Sequence, residues 1–391
     1  MSFRYDIANE SVACFASTID RTDNMLSHRM PNLVCFLTLF LWSSVVFAQE
    51  RFDRDNLLLF RDGDGEVQPV KTMADWAKRR SEVVRAMESV MGEFPAKDRR
   101  VELDVRVEER ADAGGYDRLL ITYQSEPGSR IPAYLCIPKK ARKNAKKVPA
   151  VLCLHPTDNT VGHKVVVGLG GRKNRQYAAE LAERGYVTIS PAYPHLANYW
   201  PNLGELGYLS GTMKAIWDNS RALDVLGSLD AVDVDTTRGF GAIGHSLGGH
   251  NAIYTAVFDD RISVIVSSCG FDAYPDYYDG AERNWFFGKG WCQIRYMPRM
   301  SDYRGRLNQI PFDFTEMLGA LAPRRVYVNA PLGDDNFRWK SVDRCVAAAT
   351  PIYSLADADG RLVVEHPDYD HDFQAGQREA AYKTIDSVLK D

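Results

Sequence analysis

Residues 244–249, which read GHSLGG, carry the strongest chemical signal in the chain. They place a glycine two residues to either side of Ser246, after the apolar run 240–243 and before a helical pattern at 250–257. A G-x-S-x-G sequence between a strand and a helix holds its serine on a tight turn above a sheet, where the helix start favours negative charge. The motif predicts that Ser246 is the nucleophile of an acyl-transfer reaction.

The hydroxyl of this serine needs a base, and three histidines follow it in the chain: His250, His366 and His371. For a nucleophile on such a turn the expected chain order is serine, acid, histidine. His250 comes one helical turn after the serine and is expected to face the surroundings of the helix. His371 lies in a loop beyond the strand-like run 362–365, from which an imidazole can reach over a sheet. We therefore predict His371 as the base, with His366 as the alternative.

A carboxylate must orient the imidazole and stabilise its charged form. The apolar run 325–329 predicts a strand, and Asp334 and Asp335 follow it just after the turn residue Gly333. Asp334 is preferred because it comes first after the glycine, and Asp335 remains possible.

The oxyanion of an acyl-transfer intermediate needs two N–H donors. One is predicted to be the backbone N–H of Leu247, the residue after the nucleophile. The second should come from the loop after the strand-like run 151–154. Because Pro156 has no N–H, Thr157 is the predicted donor, and His155 is expected to shape the loop.

Aromatic residues are the main clue to a substrate pocket. The segment 274–296 is rich in aromatic side chains that could stack on a sugar or aryl group, or form a small core beneath a long loop. The pocket candidates are His245, Tyr193, Trp285 and Trp291. No spacing of histidine or cysteine supports a metal site, so no metal is predicted.

From residue 149 onward, predicted strands and helices alternate along the chain, and these elements must position the candidate site residues. Strands are predicted at 101–107, 119–123, 131–137, 151–154, 187–190, 240–243, 262–267, 325–329 and 361–365, and helices at 73–91, 177–184, 212–229, 250–257 and 379–389. The first three strands should be antiparallel. The alternating part predicts an α/β fold, a mostly parallel sheet with helices on both faces and its functional groups at the carboxyl ends of the strands.

The start of the chain indicates export. Residues 33–48 form an apolar run that follows Arg29 and ends in a small-residue cleavage pattern, which predicts a signal peptide at 25–48 cleaved after Ala48. Residues 1–24 are then a spurious or disordered extension, because Met25 or Met30 is a more natural start than Met1. The run is short for a membrane span, so a secreted or periplasmic protein without a stable span is expected, and an N-terminal anchor is the alternative.

The remaining chain is divided into a helical segment at 49–100, packed on the main domain, and the domain itself at 101–391. The net charge of −4 over 391 residues gives no support for nucleic-acid binding, which needs a basic face. After leader removal an odd number of cysteines remains, so at least one free thiol is expected.

The motif at 244–249, followed by Asp334 and His371 on a β/α pattern, resembles the α/β-hydrolase superfamily. The runs 178–194, 233–249 and 322–325 narrow the resemblance to the dienelactone hydrolase and acetyl xylan esterase-like branch. The resemblance covers the chain from residue 101 and implies an eight-stranded sheet, no cofactor, and Ser246, Asp334 and His371 as nucleophile, acid and base. Dienelactone hydrolases use a cysteine nucleophile, so their substrate is not transferred.

The sequence therefore predicts a secreted serine esterase that cleaves a small-molecule or polysaccharide ester through an acyl-enzyme. A prolyl-oligopeptidase-like peptidase shares the catalytic layout and is the rival enzyme, although no propeller domain is visible. A catalytically silent binding protein of the same fold is the other alternative.

Overall fold

A computed structural model of the protein describes residues 51–143, 147–233 and 238–390. All of them belong to one unit, Glu50–Asp391. The predicted extension at 1–24 and the predicted signal peptide at 25–48 lie outside the described residues. Within the described ranges, no helix is long and apolar enough to cross a membrane.

Eleven strands are found in the part of the chain that the structure describes. In chain order they are β1 (Leu59–Arg61), β2 (Val67–Pro69), β3 (Arg106–Asp112), β4 (Tyr116–Glu126), β5 (Ser129–Pro138), β6 (Ala150–Leu154), β7 (Val187–Pro191), β8 (Phe240–His245), β9 (Ile262–Ser268), β10 (Arg325–Asn329) and β11 (Leu362–Glu365). Strands β1 and β2 form a separate antiparallel pair. The other nine form one sheet in the order β11-β10-β9-β8-β6-β7-β5-β4-β3.

The large sheet is mostly parallel. Strands β11, β10, β9, β8, β6 and β7 pair in parallel, and β5, β4 and β3 add an antiparallel edge next to β7. Because the parallel strands end at the same edge of the sheet, the loops after β6, β8 and β10 are brought together there.

Helices cover both faces of this sheet. They are α1 (Met73–Met91), α2 (Lys139–Lys143), α3 (Tyr177–Glu183), α4 (Gly211–Gly227), α5 (Leu247–Phe258), α6 (Phe314–Ala320), α7 (Trp339–Leu355) and α8 (Ala375–Leu389). Successive residues of β6 show the two faces. Leu152 packs in the core that holds α1, α4, α5, α6 and α7, whereas Val151 and Cys153 pack with α3 and α8. This alternation follows from the two-residue period of a strand.

Helix α1 matches the predicted range 73–91, because its local signals agree with its packing. Thr72 caps the first turn in a capping box with Asp75, and Gly92 follows the last residue. Trp76 and Met87 are buried on its inner face. The helix therefore lies on the same unit as the sheet.

The fold class and the antiparallel first strands are confirmed, with two differences. The sheet has nine strands where the resemblance implies eight, because β3 extends its antiparallel edge. Strand β3 also lies about five residues later than predicted. Its residues are almost all exposed, so the alternation that predicts 101–107 does not mark a buried face.

Candidate active site

Ser246 lies on the turn between β8 and α5, with φ 54° and ψ −123°. A positive φ is unfavourable for a residue with a side chain, and such strain persists only where the surroundings hold it. Here the Ser246 N–H donates to the Ser268 carbonyl at 2.8 Å, and the Ser246 carbonyl accepts the N–H of His250 at 3.0 Å. These bonds fix the turn between the sheet and the helix.

The glycines around Ser246 are required because backbone segments approach closely. A Cβ on Gly244 would lie 2.1 Å from the carbonyl carbon of Gly248. A Cβ on Gly248 would lie 2.0 Å from the carbonyl oxygen of Leu154, at the end of β6. No side chain fits at either position, which explains the G-x-S-x-G pattern physically.

His371 and Asp334 form a hydrogen-bonded pair. The Nδ1 of His371 lies 3.0 Å and 2.9 Å from the two carboxylate oxygens of Asp334. Asp334 is 4% exposed, and its Oδ1 also accepts the N–H groups of Asn336 at 2.8 Å and Phe337 at 3.0 Å. The carboxylate is therefore fixed by the loop after β10. It selects the imidazole tautomer with hydrogen on Nδ1 and leaves Nε2 able to accept a proton.

The other histidines that follow Ser246 have different surroundings. The Nδ1 of His366 lies 2.8 Å from the Ala330 carbonyl, and its Nε2 lies 2.7 Å from Asp343 Oδ1. His250 is buried, with ring centroids 4.3 Å from both Tyr254 and Trp291. Burial lowers the pKa of His250 to about 3. Neither histidine lines the cavity described below.

Ser246 and His371 line the same cavity, of about 310 Å³. Except for Pro156 and Val165 its lining is polar, and the lining residues are Pro156, Thr157, Asp158, Asn159, Thr160, Val165, Arg172, Arg175, His245, Ser246 and His371. A cavity lined in this way favours a ligand with several hydrogen-bonding groups over an alkyl chain.

The loop after β6 forms one wall of this cavity. Thr157 lines it, and the Thr157 hydroxyl lies 2.9 Å from the Tyr296 hydroxyl. His155 is buried behind the loop: its Nε2 accepts the Tyr193 N–H at 3.0 Å and its Nδ1 lies 2.8 Å from the Pro156 carbonyl. Burial lowers the pKa of His155 to about 4, so the ring is neutral near pH 7. Leu247 is the first residue of α5, directly after the serine.

Only one of the four pocket candidates lines the cavity. His245 lies 4.8 Å from His371 between ring centroids, and its Nδ1 lies 3.0 Å from the Ser268 hydroxyl. Tyr193, Trp285 and Trp291 do not line this cavity, and their rings pack inside the fold. The Tyr193 hydroxyl donates to the Arg295 carbonyl at 2.8 Å, and both tryptophans are buried in the aromatic cluster of the segment 274–296.

Sequence reasoning missed the charged part of the cavity wall. Arg172 and Arg175 lie in a loop between the 3₁₀ turn at Gly162–Val167 and helix α3. This loop has no periodic pattern, and its glycines Gly168, Gly170 and Gly171 all have positive φ. A glycine-rich stretch predicts a loop but gives no direction for the side chains it carries.

Cys269 lies beside the histidine–aspartate pair. The ligand atoms of Cys269, Asp334 and His371 lie within 4.8 Å of one another, the only such group of potential metal ligands in the described ranges. Burial and the nearby Asp334 charge raise the pKa of the Cys269 thiol. The thiol lies 3.3 Å from the Asp372 carbonyl, to which it can donate. Because metal ligation needs a thiolate, the protonated thiol is poorly suited to it.

Comparison with solved structures identifies the fold. The chain matches a glucuronoyl esterase from Solibacter usitatus with a TM-score of 0.67 and 21% identity, covering 87% of this chain and 98% of that one. It also matches a Bacteroides fragilis protein assigned as an acetyl xylan esterase, with a TM-score of 0.55, 17% identity and 76% coverage of each chain. The chain has the α/β-hydrolase fold. The predicted fold class is thereby confirmed.

The amino-acid sequence also matches a protein family and a relative over part of the chain. The family described as glucuronyl esterase, fungi, matches residues 199–356. The 4-O-methyl-glucuronoyl methylesterase 1 of Sodiomyces alcalophilus is 26% identical over 162 residues, which cover 38% of this chain and 32% of that protein. The match thus spans about a third of that relative. Both the matched family and this relative are named for esterases.

Proposed function

We propose that this α/β-hydrolase is an exported serine esterase that cleaves carboxylic esters of carbohydrates. The observation that carries the proposal is the presence of Ser246, on its strained turn, and His371, oriented by a buried Asp334, around one polar cavity. A nucleophile, a base and an orienting carboxylate in this relation are the components of acyl transfer.

In the proposed reaction the Nε2 of His371 takes the proton of the Ser246 hydroxyl while the serine oxygen attacks the ester carbonyl. The N–H groups of Leu247 and Thr157 hold the oxyanion. The C–O bond to the alcohol then breaks, and His371 returns its proton to the leaving oxygen. Water repeats these steps on the acyl-enzyme, releasing the carboxylic acid and regenerating the serine.

The carbohydrate part of the proposal is supported by the cavity and by the relatives. A polar lining that includes Asn159 and Thr160 suits a hydroxylated acyl group such as a uronic acid, whose esters have the same carbonyl chemistry as acetates. The relative from Sodiomyces alcalophilus is named for a methyl ester of this kind. Export is proposed from the signal-like run at 33–48.

A fluorophosphonate probe tests the nucleophile directly. The intact protein should be labelled at Ser246, and Ser246→Ala should lose both labelling and ester hydrolysis while keeping its melting temperature. Equal labelling of the variant, or no labelling of the intact protein, contradicts the proposal. The second result would favour the silent binding protein.

A substrate panel tests the class of ester. We expect hydrolysis of methyl glucuronate esters, acetylated xylan or short aryl esters, and none of proline amides. Cleavage of proline amides but not of esters would instead support a peptidase. Ser246→Ala is the control for each substrate, because hydrolysis that remains in that variant does not depend on the serine nucleophile.

A further inference from the structure

The cavity wall carries a cation, Arg172, that no described residue neutralises. Arg172 lines the cavity together with Ser246 and His371. It is exposed to solvent and has no hydrogen-bond or ion-pair partner among the described residues. Its charge acts on the site, since it contributes to lowering the pKa of the buried His245 after burial, Arg175 and His371. Arg172 therefore brings a positive charge to the wall of the space where a substrate would bind.

Its neighbour in the wall, Arg175, is fully engaged. The side chain of Arg175 is 3% exposed and pairs with Asp372, and it also donates to the carbonyls of Lys173 at 3.1 Å and Asn174 at 3.2 Å. These bonds use Arg175 to hold the loop in place. The two arginines thus differ: one is bound within the fold, and the other has its donors available.

Asp158, the acidic residue of the cavity lining, does not pair with the guanidinium of Arg172. The Oδ1 of Asp158 accepts the N–H of Thr160 at 2.9 Å and of Val161 at 2.6 Å, and Asp158 makes no ion pair with Arg172. Asp158 is thereby used to shape its own turn. A guanidinium without an acidic partner can bind a carboxylate through two parallel N–H donors.

We propose that Arg172 is a specificity-determining residue that binds a free carboxylate of the substrate, so that the preferred substrates are esters of acidic carbohydrates. The free carboxylate is additional to the ester that Ser246 attacks. This inference rests on the proposed esterase function of the cavity. It adds the requirement that the substrate carries a second, anionic group within reach of Arg172.

Matched pairs of esters test the inference, because each pair differs by one carboxylate. Monomethyl succinate against methyl butanoate places the carboxylate on the acyl side, and 4-carboxyphenyl acetate against phenyl acetate places it on the alcohol side. Arg172→Gln should lower kcat/KM about 5- to 20-fold for the carboxylate-bearing member of one pair, mainly through KM. The neutral members should change less than about twofold. The affected pair shows which side of the ester carries the anion.

The controls separate charge recognition from structural damage. Arg172→Lys should restore much of the preference because it keeps the charge, and Lys173→Gln, which removes an adjacent exposed charge outside the cavity lining, should have no effect. Salt should weaken the preference of the intact protein. The inference is overturned if Arg172→Gln causes no greater loss for the carboxylate-bearing member than for the neutral member in either pair.

A binding measurement decides the question even if no ester is turned over, which would refute the proposed function. Calorimetry on Ser246→Ala should show that monomethyl succinate and 4-carboxyphenyl acetate bind more tightly than their neutral partners in at least one pair. Adding Arg172→Gln should abolish that difference. If the double variant keeps the difference, or if Ser246→Ala shows none, Arg172 does not bind a carboxylate.

Discussion

Replacing Asp334 by asparagine is the most informative single change in the proposed site. The amide oxygen can keep the position of Oδ1, which accepts the N–H groups of Asn336 and Phe337. Those N–H groups cannot pair with an NH₂ group, so the NH₂ takes the place of Oδ2, which lies 2.9 Å from His371 Nδ1. The loop is thereby preserved while a donor faces the ring nitrogen.

A donor at that place favours the tautomer with hydrogen on Nε2, which cannot accept the serine proton. The same change in a serine protease lowers turnover about 10⁴-fold. In this protein Oδ1 also lies 3.0 Å from Nδ1 and can retain part of the original tautomer. We therefore expect a loss of about 10³- to 10⁴-fold in kcat, equal to about 4–5 kcal/mol in the activation barrier.

The assay is steady-state hydrolysis of an aryl ester, combined with urea unfolding. Asp334→Asn should keep KM and the free energy of unfolding close to the original values. Asp334→Ala should also lose stability, by about 1–3 kcal/mol, because the buried N–H of Phe337 and the half-buried N–H of Asn336 lose their acceptor. Asp335→Asn is the matched control, because Asp335 is exposed and should tolerate the change. If Asp334→Asn keeps more than a tenth of the turnover, or Asp335→Asn loses as much, the assignment of the acid is refuted.

Two further predictions concern stability. Gly248→Ala should lower the free energy of unfolding by about 1–3 kcal/mol or more, because its Cβ would lie 2.0 Å from the Leu154 carbonyl oxygen. Gly376 lies in helix α8, where an added Cβ would have no heavy atom within 4 Å, so Gly376→Ala should be neutral or stabilising. Equal urea midpoints for Gly248→Ala and Gly376→Ala would contradict the crowding argument. Burial lowers the pKa of His250 from its ordinary value of 6.5 to about 3, so the unfolded chain binds its proton first as the pH falls. The contribution of neutral His250 to stability is complete above pH 6.5 and falls towards pH 3. His250→Phe should therefore reduce the slope of the unfolding free energy against pH by up to about 1.4 kcal/mol per pH unit between pH 3 and pH 6.5. An unchanged slope would be evidence against this prediction.

The sequence predicts those parts of the site whose chemistry depends on backbone geometry. The turn at Ser246 can be read from its glycines, because no other residue fits between β8, α5 and the end of β6. The loop histidine and the acid follow from chain order on an alternating β/α pattern. The sequence leaves both Asp334 and Asp335 open because they follow the same strand, and only the folded chain shows that Asp334 is buried against His371.

The pocket could not be predicted in the same way. An aromatic segment after β9 is equally compatible with a stacking surface and with a packed cluster, and here Trp285 and Trp291 are buried against their neighbours. Helix α7 was not predicted, and Pro351 lies inside it, where proline normally indicates a helix end. Arg172 lies in an irregular loop, so only the folded chain shows which cavity it lines.

The loop that carries Arg172 is tied to the loop that carries His371. Besides the pair between Arg175 and Asp372, the Asn174 amide donates to Asp372 Oδ2 at 2.7 Å. Replacing residues 170–175 of this protein with the loop of a related fold, in order to alter the substrate range, would therefore also shift His371, the proposed general base. An engineered variant could instead change residue 172 alone and keep Asn174 and Arg175, which hold the loop of His371. Substrate selectivity could then change without moving His371.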